Sequence, residues 1–421
     1  MSDGASDGVS KAVSTGVNAV TAADVAAAAE RIADDIERTP VADSHTLSAV
    51  AGADIVVKFE NLQFTASFKD RGAANKLRQL TDDERSCGVI ALSAGNHAQG
   101  VAYHAGRLGI PATIVMPTSA PFAKVANTEA LGADVVQAGA TFAEAAETAD
   151  RLAVERGLTW VHPYDDPAVI AGQGTVGIEL LDDLDDLDAI LVPVGGGGLI
   201  AGIATWVKAH RPHVEIVGVQ TETYPGMVAA LDGRDLAPSK ADTIADGIAV
   251  KQPGSLTVPI VRDLVDDVIA VAETTIERSI SLFLEIEKTV AEGAGAAGLA
   301  ALLEHPDRWR GKRVALVLTG GNIDTRVLAS VLLREMAHSG RITSLRIAVS
   351  DTPGQLAPLV AAIASAGANV VEIEHRRLFD PISARATNID VMLETRDRRH
   401  AERVVEAIEA KGYRVVHSDM G

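Results

Sequence analysis

Lys69 stands in the stretch Ser67-Phe68-Lys69-Asp70-Arg71-Gly72-Ala73, shortly after a run at 55–59 with the composition of a buried strand. The spacing of Leu77 and Leu80 predicts a helix opening at this stretch, with Ser67 as its N-cap and Lys69 in its first turn. A cation there meets the positive end of the helix dipole, and burial likewise favours the neutral amine. A lysine needs such a lowered pKa to attack a carbonyl near neutral pH. The bland alternative is a solvated lysine at a helix start, the ordinary state of a lone lysine.

Two further stretches carry backbone chemistry. A strand at 88–92 runs into Ser93-Ala94-Gly95-Asn96-His97, with helical spacing over 101–108. A tight turn of small residues at a helix start presents N–H groups to a carboxylate or phosphate; alternatively, it only joins two elements and Asn96 caps the helix. Between a strand at 189–194 and a helix at 200–209 lie Gly195, Gly196, Gly197 and Gly198, followed by Leu199. Four glycines let the backbone close around a phosphate. The same loop has a rival reading. Gly196, Gly198 and Ala201 satisfy a loose dinucleotide fingerprint, and Glu222 follows the next strand at 214–220, as nicotinamide binding requires.

The elements that position these stretches alternate. Strands at 112–116, 133–136 and 314–318, with helices at 122–130, 142–156 and 276–289, predict a parallel α/β sheet with right-handed crossovers over 21–335. A smaller lobe is expected over about 75–155, and the first 20 residues form a tail without sustained period. After a polar break near 338–341 the pattern becomes βαββαβ, which predicts a separate ferredoxin-like domain over 343–421. A net charge of −19 argues against nucleic acid or an anionic membrane as partner and suits a salt-rich cytoplasm. The single cysteine, Cys87, excludes an internal disulfide framework and reads as a small packed residue. No spacing suits a metal site, no apolar run is long enough to cross a membrane, and the start carries no basic-then-apolar leader. The expectation is a soluble cytoplasmic protein.

Taken together, these stretches resemble the threonine dehydratase and serine dehydratase/racemase branch of the fold type II pyridoxal phosphate enzymes. The motifs are Ser67 to Gly72, Ser93 to His97, Ala171-Gly172-Gln173-Gly174-Thr175, Gly195 to Leu199, Ala245-Asp246-Gly247 and Gly320-Gly321-Asn322, in the family's order. The C-terminal unit resembles an ACT domain through its Asp351-Thr352-Pro353-Gly354 turn. The resemblance implies pyridoxal 5'-phosphate as cofactor, Lys69 as the Schiff-base lysine and Phe68 as the residue stacked on the cofactor ring. It implies Asn96 at the ring hydroxyl, Gly195 to Leu199 as the phosphate loop, and Thr319 at the pyridine nitrogen. Gly247 and Glu292 fall beside the ring, and Ser93, Ala94, Gly95, Asn96 and His97 form the turn that receives the substrate carboxylate.

The activity so implied is β-elimination of L-threonine, and of L-serine, to a 2-oxo acid and ammonia in a homodimer or homotetramer. The ACT resemblance implies an amino-acid effector, isoleucine or valine, between Asp351 and Gly354 of one copy and Asn369 of another. Serine racemisation is the neighbouring alternative; racemase relatives carry a serine where this chain has Ala94. A nicotinamide dehydrogenase leaves Lys69 unexplained, and a non-catalytic sensor is opposed by the intact Lys69, Asn96 and glycine loop.

Overall fold

The computed structural model describes residues 20–234, 242–376 and 386–419. They divide into two compact units. The first reaches Ile276 and resumes over Ile286–Asn322; the second comprises Glu277–Glu285 and the described chain from Ile323 onward. The expected N-terminal tail lies outside the described residues, except that Val20 is already buried among Val25, Ala28 and Ile170.

Among the described residues ten strands build the first unit: β1 (Val41–Asp43), β2 (Asp54–Phe59), β3 (Val89–Leu92), β4 (Ala112–Met116), β5 (Asp134–Gln137), β6 (Thr159–Trp160), β7 (Ala189–Pro193), β8 (Glu215–Thr221), β9 (Asp267–Val271) and β10 (Arg313–Leu318). They form two sheets, a larger one in the order β1-β2-β10-β7-β8-β9 and a smaller one in the order β5-β4-β3-β6. All pairings are parallel except β1 with β2. Parallel sheets need both faces covered, so β7 and β4 are buried along their whole length rather than alternating, and only Thr113 in β4 is polar.

Two helices, Pro167–Asp183 and Gly198–His210, cover the larger sheet beside the glycine loop. Gly202 lets them close on each other: a Cβ there would lie 2.3 Å from the Ile170 carbonyl oxygen. Gly172 does the same toward the Lys69 helix, where an added Cβ would sit 2.7 Å from the Arg71 oxygen. The Lys69 helix is thereby fixed to the larger lobe by backbone contact.

The second unit is a four-stranded antiparallel sheet of β11 (Ile342–Ser350), β12 (Asn369–Arg376), β13 (Ala386–Glu394) and β14 (Arg414–Asp419), ordered β12-β13-β11-β14. Helices Leu356–Ser365 and Arg398–Glu409 cover one face. Leu345, Ile347 and Val349 of β11 point into a core with Leu359, Ile363, Val391 and Val404. Their alternation along β11 is the period-2 pattern of a half-buried strand. This is the ferredoxin-like arrangement that the C-terminal pattern predicts.

Several expectations need correction. The Lys69 helix spans Lys69–Arg78 with Phe68 at the N-cap, and no side chain caps it. Ser67 bridges Gly320 through its backbone instead, which carries it away from the helix end. The helix after β3 begins at Asn96, not 101, because the small-residue turn itself becomes the first turn. Regular helix ends at Leu282 and continues as a π-helical turn over Phe283–Glu287, so 276–289 is not one helix. In the second unit the helix that the sequence pattern predicts over 354–365 opens at Leu356, two residues beyond Gly354, whose φ of 93° belongs to the preceding turn. Cys87 is exposed at the end of helix Asp82–Cys87 rather than packed. Among the described residues no helix is long and apolar enough to cross a membrane, and no group of three or more His, Cys, Asp or Glu could hold a metal.

Candidate active site

Lys69 opens its helix directly behind a short antiparallel contact with the end of β10. Phe68 N donates to Thr319 O at 3.0 Å, Gly321 N donates to Ala66 O at 3.0 Å, and Ser67 pairs with Gly320. Lys69 and Thr319 are thus locked to one another through the backbone. The Lys69 amine donates to the Pro163 carbonyl at 2.7 Å and lies 5.0 Å from the centre of the Phe68 ring. Burial lowers its pKa to about 8, and the Glu292 charge opposes that shift. Burial, more than the helix dipole, supplies the reactivity expected of this lysine.

Across from Lys69 stands Glu292, buried at the N-cap of helix Gly293–Glu304. Burial, aided by the negative charge of Asp246, raises its pKa to about 8. Asn96 Nδ2 donates to Glu292 Oε1 at 2.7 Å, and Asn322 Nδ2 donates to Asn96 Oδ1 at 2.7 Å. Asn322 also donates to Thr65 O at 2.7 Å, which ties the chain to the Lys69 segment. Gly320 passes so close that an added Cβ would lie 2.6 Å from Glu292 Oε1, and one on exposed Gly247 would lie 3.4 Å from it. Sequence reasoning missed Asn322 as a site residue, although its motif was in view.

The turn Ser93 to His97 joins β3 to its helix, with Ser93 Oγ accepting from Gly95 N at 3.2 Å. Ala94 is half-buried against the small-lobe core and presents only a methyl group. A Cβ on Gly95 would meet nothing within 4 Å, so the turn faces open space. His97 is buried, and its Nε2 lies 2.8 Å from Val161 O. Since a carbonyl only accepts, the proton is on Nε2 and Nδ1 is bare. Burial and the nearby Lys69 charge hold the His97 pKa at about 3, so the ring stays neutral.

The glycine loop leaves β7 and reaches helix Gly198–His210 through Gly197, which caps it at φ 96°. Its near wall is the segment after β6. A Cβ on Gly196 would strike the Tyr164 ring at 2.2 Å, and the Tyr164 hydroxyl donates to Gln252 O at 3.1 Å. His162 Nδ1 accepts from Asp165 N at 2.7 Å and its ring meets Tyr164 edge-on. Sequence reasoning missed this segment because the strand before it, β6, is two residues long and leaves no period to read. Its only signal is the Pro163-to-Pro167 bracket after the tryptophan. Glu222, on which the nicotinamide reading depends, lies exposed just past β8.

The protein's own atoms fit an aldehyde-bearing phosphate ester. Lys69 supplies an amine poised near neutrality, and the head of helix Gly198–His210 supplies N–H donors aligned with a helix dipole. Among the described residues, Ser67 Oγ and His97 Nδ1, in the Lys69 segment and the Ser93–His97 turn, are buried with no hydrogen-bond partner in the protein. Residues 32–320 match the family model described as pyridoxal-phosphate dependent enzyme. The chain belongs to that family, with the two-lobed fold type II architecture.

Within the family, its similarities are to the ammonia-lyases and racemases. It is 46% identical over 397 residues to an L-threonine ammonia-lyase of Thermotoga maritima, covering 94% of this chain and 99% of that protein. It is 44% identical over 387 residues to an L-threonine ammonia-lyase of Geobacter sulfurreducens, covering 92% and 96%. Among solved structures, maize serine racemase superposes with a TM-score of 0.71 at 36% identity, over 76% of this chain and 99% of that one. The processed form of threonine deaminase isoform 2 from Solanum lycopersicum superposes at 0.70 with 38% identity, over 73% and 90%. The protein is a pyridoxal phosphate enzyme.

Proposed function

We propose that this chain is a threonine ammonia-lyase, converting L-threonine, and L-serine as a second substrate, to 2-oxobutanoate or pyruvate and ammonia. The observation that carries the reading is the Lys69 amine, on a helix start tied to Thr319 O through Phe68 N, with its pKa lowered by burial to about 8. Pyridoxal phosphate, when bound, supplies an electron sink conjugated to the substrate α-carbon. Lys69 acts as the base that takes the α-proton, a task for which a pKa near ambient pH is best suited. N–H groups of the Ser93–His97 turn orient the carboxylate, and the loop Gly195 to Leu199 holds the phosphate. Phe68 would pack against the cofactor ring, Asn96 and Thr319 would bond its polar groups, and Glu292 and Gly247 would lie beside it. Overall the substrate loses its α-proton and β-hydroxyl as water, and the free enamine so released tautomerises to an imine that water hydrolyses to the 2-oxo acid and ammonia.

Serine racemase is the second reading, favoured by the superposition on the maize enzyme. Racemisation needs a proton donor on the substrate face away from Lys69, and the Ala94 methyl can give none. Supplied with L-threonine or L-serine, the protein should therefore form 2-oxo acid with little D-amino acid. D-Serine appearing faster than pyruvate would overturn the assignment.

The second unit is read as an ACT-type regulatory domain, in a cytoplasmic homodimer or homotetramer serving isoleucine formation. Its support is the βαββαβ order, and relatives whose alignments reach beyond residue 320 into this unit. The effector would bind between copies, its ammonium on Asp351 and its carboxylate near Gly354, with Asn369 of the adjoining copy. Within one copy Asn369 Nδ2 donates to Glu394 Oε2 at 3.2 Å. Removing the chain after Arg341 should preserve turnover and abolish any response to isoleucine or valine, a coupling of about 1–3 kcal/mol. If no amino acid other than a substrate shifts the kinetics or Tm of the full-length protein, the regulatory reading fails.

A further inference from the structure

Thr257 is fully buried at the first position of helix Thr257–Leu264, but its hydroxyl points away from that helix's own needs. Oγ1 donates to Gly196 O at 2.6 Å and approaches Gly254 O at a longer 3.2 Å. Gly254 N donates to the same Gly196 oxygen at 3.1 Å. Two donors on one carbonyl fix the plane of the Gly196–Gly197 peptide. Because a trans peptide is rigid, they turn the Gly197 N–H to the opposite side. Gly197 has no room to swing: an added Cβ would lie 2.6 Å from Met227 Cε and 2.8 Å from Thr257 Oγ1.

The segment carrying Thr257 is itself anchored. Asp165 accepts from Ser255 N and Ser255 Oγ at 2.9 Å, and from Leu256 N at 2.8 Å. Asp165 lies two residues after Pro163, whose carbonyl receives the Lys69 amine. One short stretch of chain therefore touches both the lysine and the support of the glycine loop.

We infer that Thr257 is a positioning residue for the phosphate loop, holding the Gly196 carbonyl so that the Gly197 N–H is aimed, with Asp165 keeping Thr257 in place. The inference rests on the proposed reading of Gly195 to Leu199 as the phosphate loop. Thr257 touches neither substrate nor cofactor itself; it acts through one peptide group.

The test is titration of the full-length apo-protein with pyridoxal phosphate and with pyridoxal, which lacks the phosphate. Wild-type protein should bind pyridoxal phosphate the more tightly. Thr257→Val keeps the shape and removes the donor, so Kd for pyridoxal phosphate should rise about 5–10-fold, the value of one hydrogen bond. Kd for pyridoxal should not change, and Thr257→Ser should restore wild-type binding. Asp165→Asn, which loosens the anchor without emptying it, should shift the phosphate ligand in the same direction; it carries the test if Thr257→Val does not fold. Equal losses for both ligands, no loss for either, or a serine variant as weak as the valine would overturn the inference. Wild-type protein that binds both ligands alike would instead strike the phosphate-loop reading, and this inference with it.

Discussion

Lys69→Ala should leave a folded protein that turns over L-threonine about 10⁴-fold more slowly, the upper range for loss of one positioned base. The fold should survive because Lys69 is half-buried at a helix start and its amine, among the described residues, makes a single hydrogen bond, to Pro163 O at 2.7 Å. Its α-helix is held by Gly72 and Gly172 contacts that the substitution leaves alone. The variant should also lose the borohydride-fixable adduct that wild-type protein forms with pyridoxal phosphate. A pH titration sharpens the test. An amine attacks an aldehyde only when unprotonated, and burial lowers the Lys69 pKa from the ordinary 10.5 to about 8. The rate of cofactor uptake by apo-protein should thus climb through about pH 8 and level off above it. A rise that continues toward pH 10 would show an unperturbed lysine, and unaltered turnover in Lys69→Ala would remove this residue from the chemistry.

Much of this site was legible because its parts sit at strand-to-helix junctions. Apolar runs such as 189–193 and 314–318 announce buried parallel strands, and the residues just past them are where backbone N–H groups gather. Lys69, the Ser93 turn and the glycine loop all fall there. What stayed hidden is long-range and polar. Nothing in the local sequence says that Asn322 reaches Asn96, 226 positions away, or that Thr257 reaches Gly196. Helix ends were misplaced for a related reason. Ser67 is a good N-cap by type, but pairing with Gly320 claims its backbone, so a tertiary contact overrides a local preference. The Pro167 start of helix Pro167–Asp183, by contrast, carries a local signal: an Asp-Pro pair in which Asp166 caps the helix by accepting from Ala168 N at 2.8 Å.

Arg71 marks the same limit in its most costly form. It lies two residues after Lys69 and is completely buried, which its own sequence neighbourhood does not announce. Its Nε and Nη2 donate to both oxygens of Glu60 at 2.7 Å, and Nη1 donates to Glu179 at 2.7 Å and Thr175 Oγ1 at 3.0 Å. Lys58 pairs with Glu179 and donates to Thr39 O at 2.6 Å, while Thr39 Oγ1 donates to Glu60 at 2.5 Å. Two cations and two carboxylates balance, and every charge has hydrogen-bonded partners. Burial disfavours the charged guanidinium, but the Glu60 and Glu179 carboxylates more than offset that and raise its pKa. Arg71→Met keeps most of the volume but leaves two carboxylates facing one lysine. The expected loss is about 3–5 kcal/mol of unfolding free energy, read from urea titration. Arg71→Met combined with Glu60→Gln restores neutrality and should recover part of it. The pH dependence follows from the unbalanced carboxylate, whose folded-state pKa in the single variant should rise above the unfolded value of about 4.3. A raised folded pKa gives stability that is present at acid pH and lost as pH climbs through it. The deficit of Arg71→Met against wild type should therefore be smaller at pH 5 than at pH 8. A deficit independent of pH, or a double variant weaker than the single one by the full cost of a second site, would mean that packing rather than charge balance sets the role of Arg71.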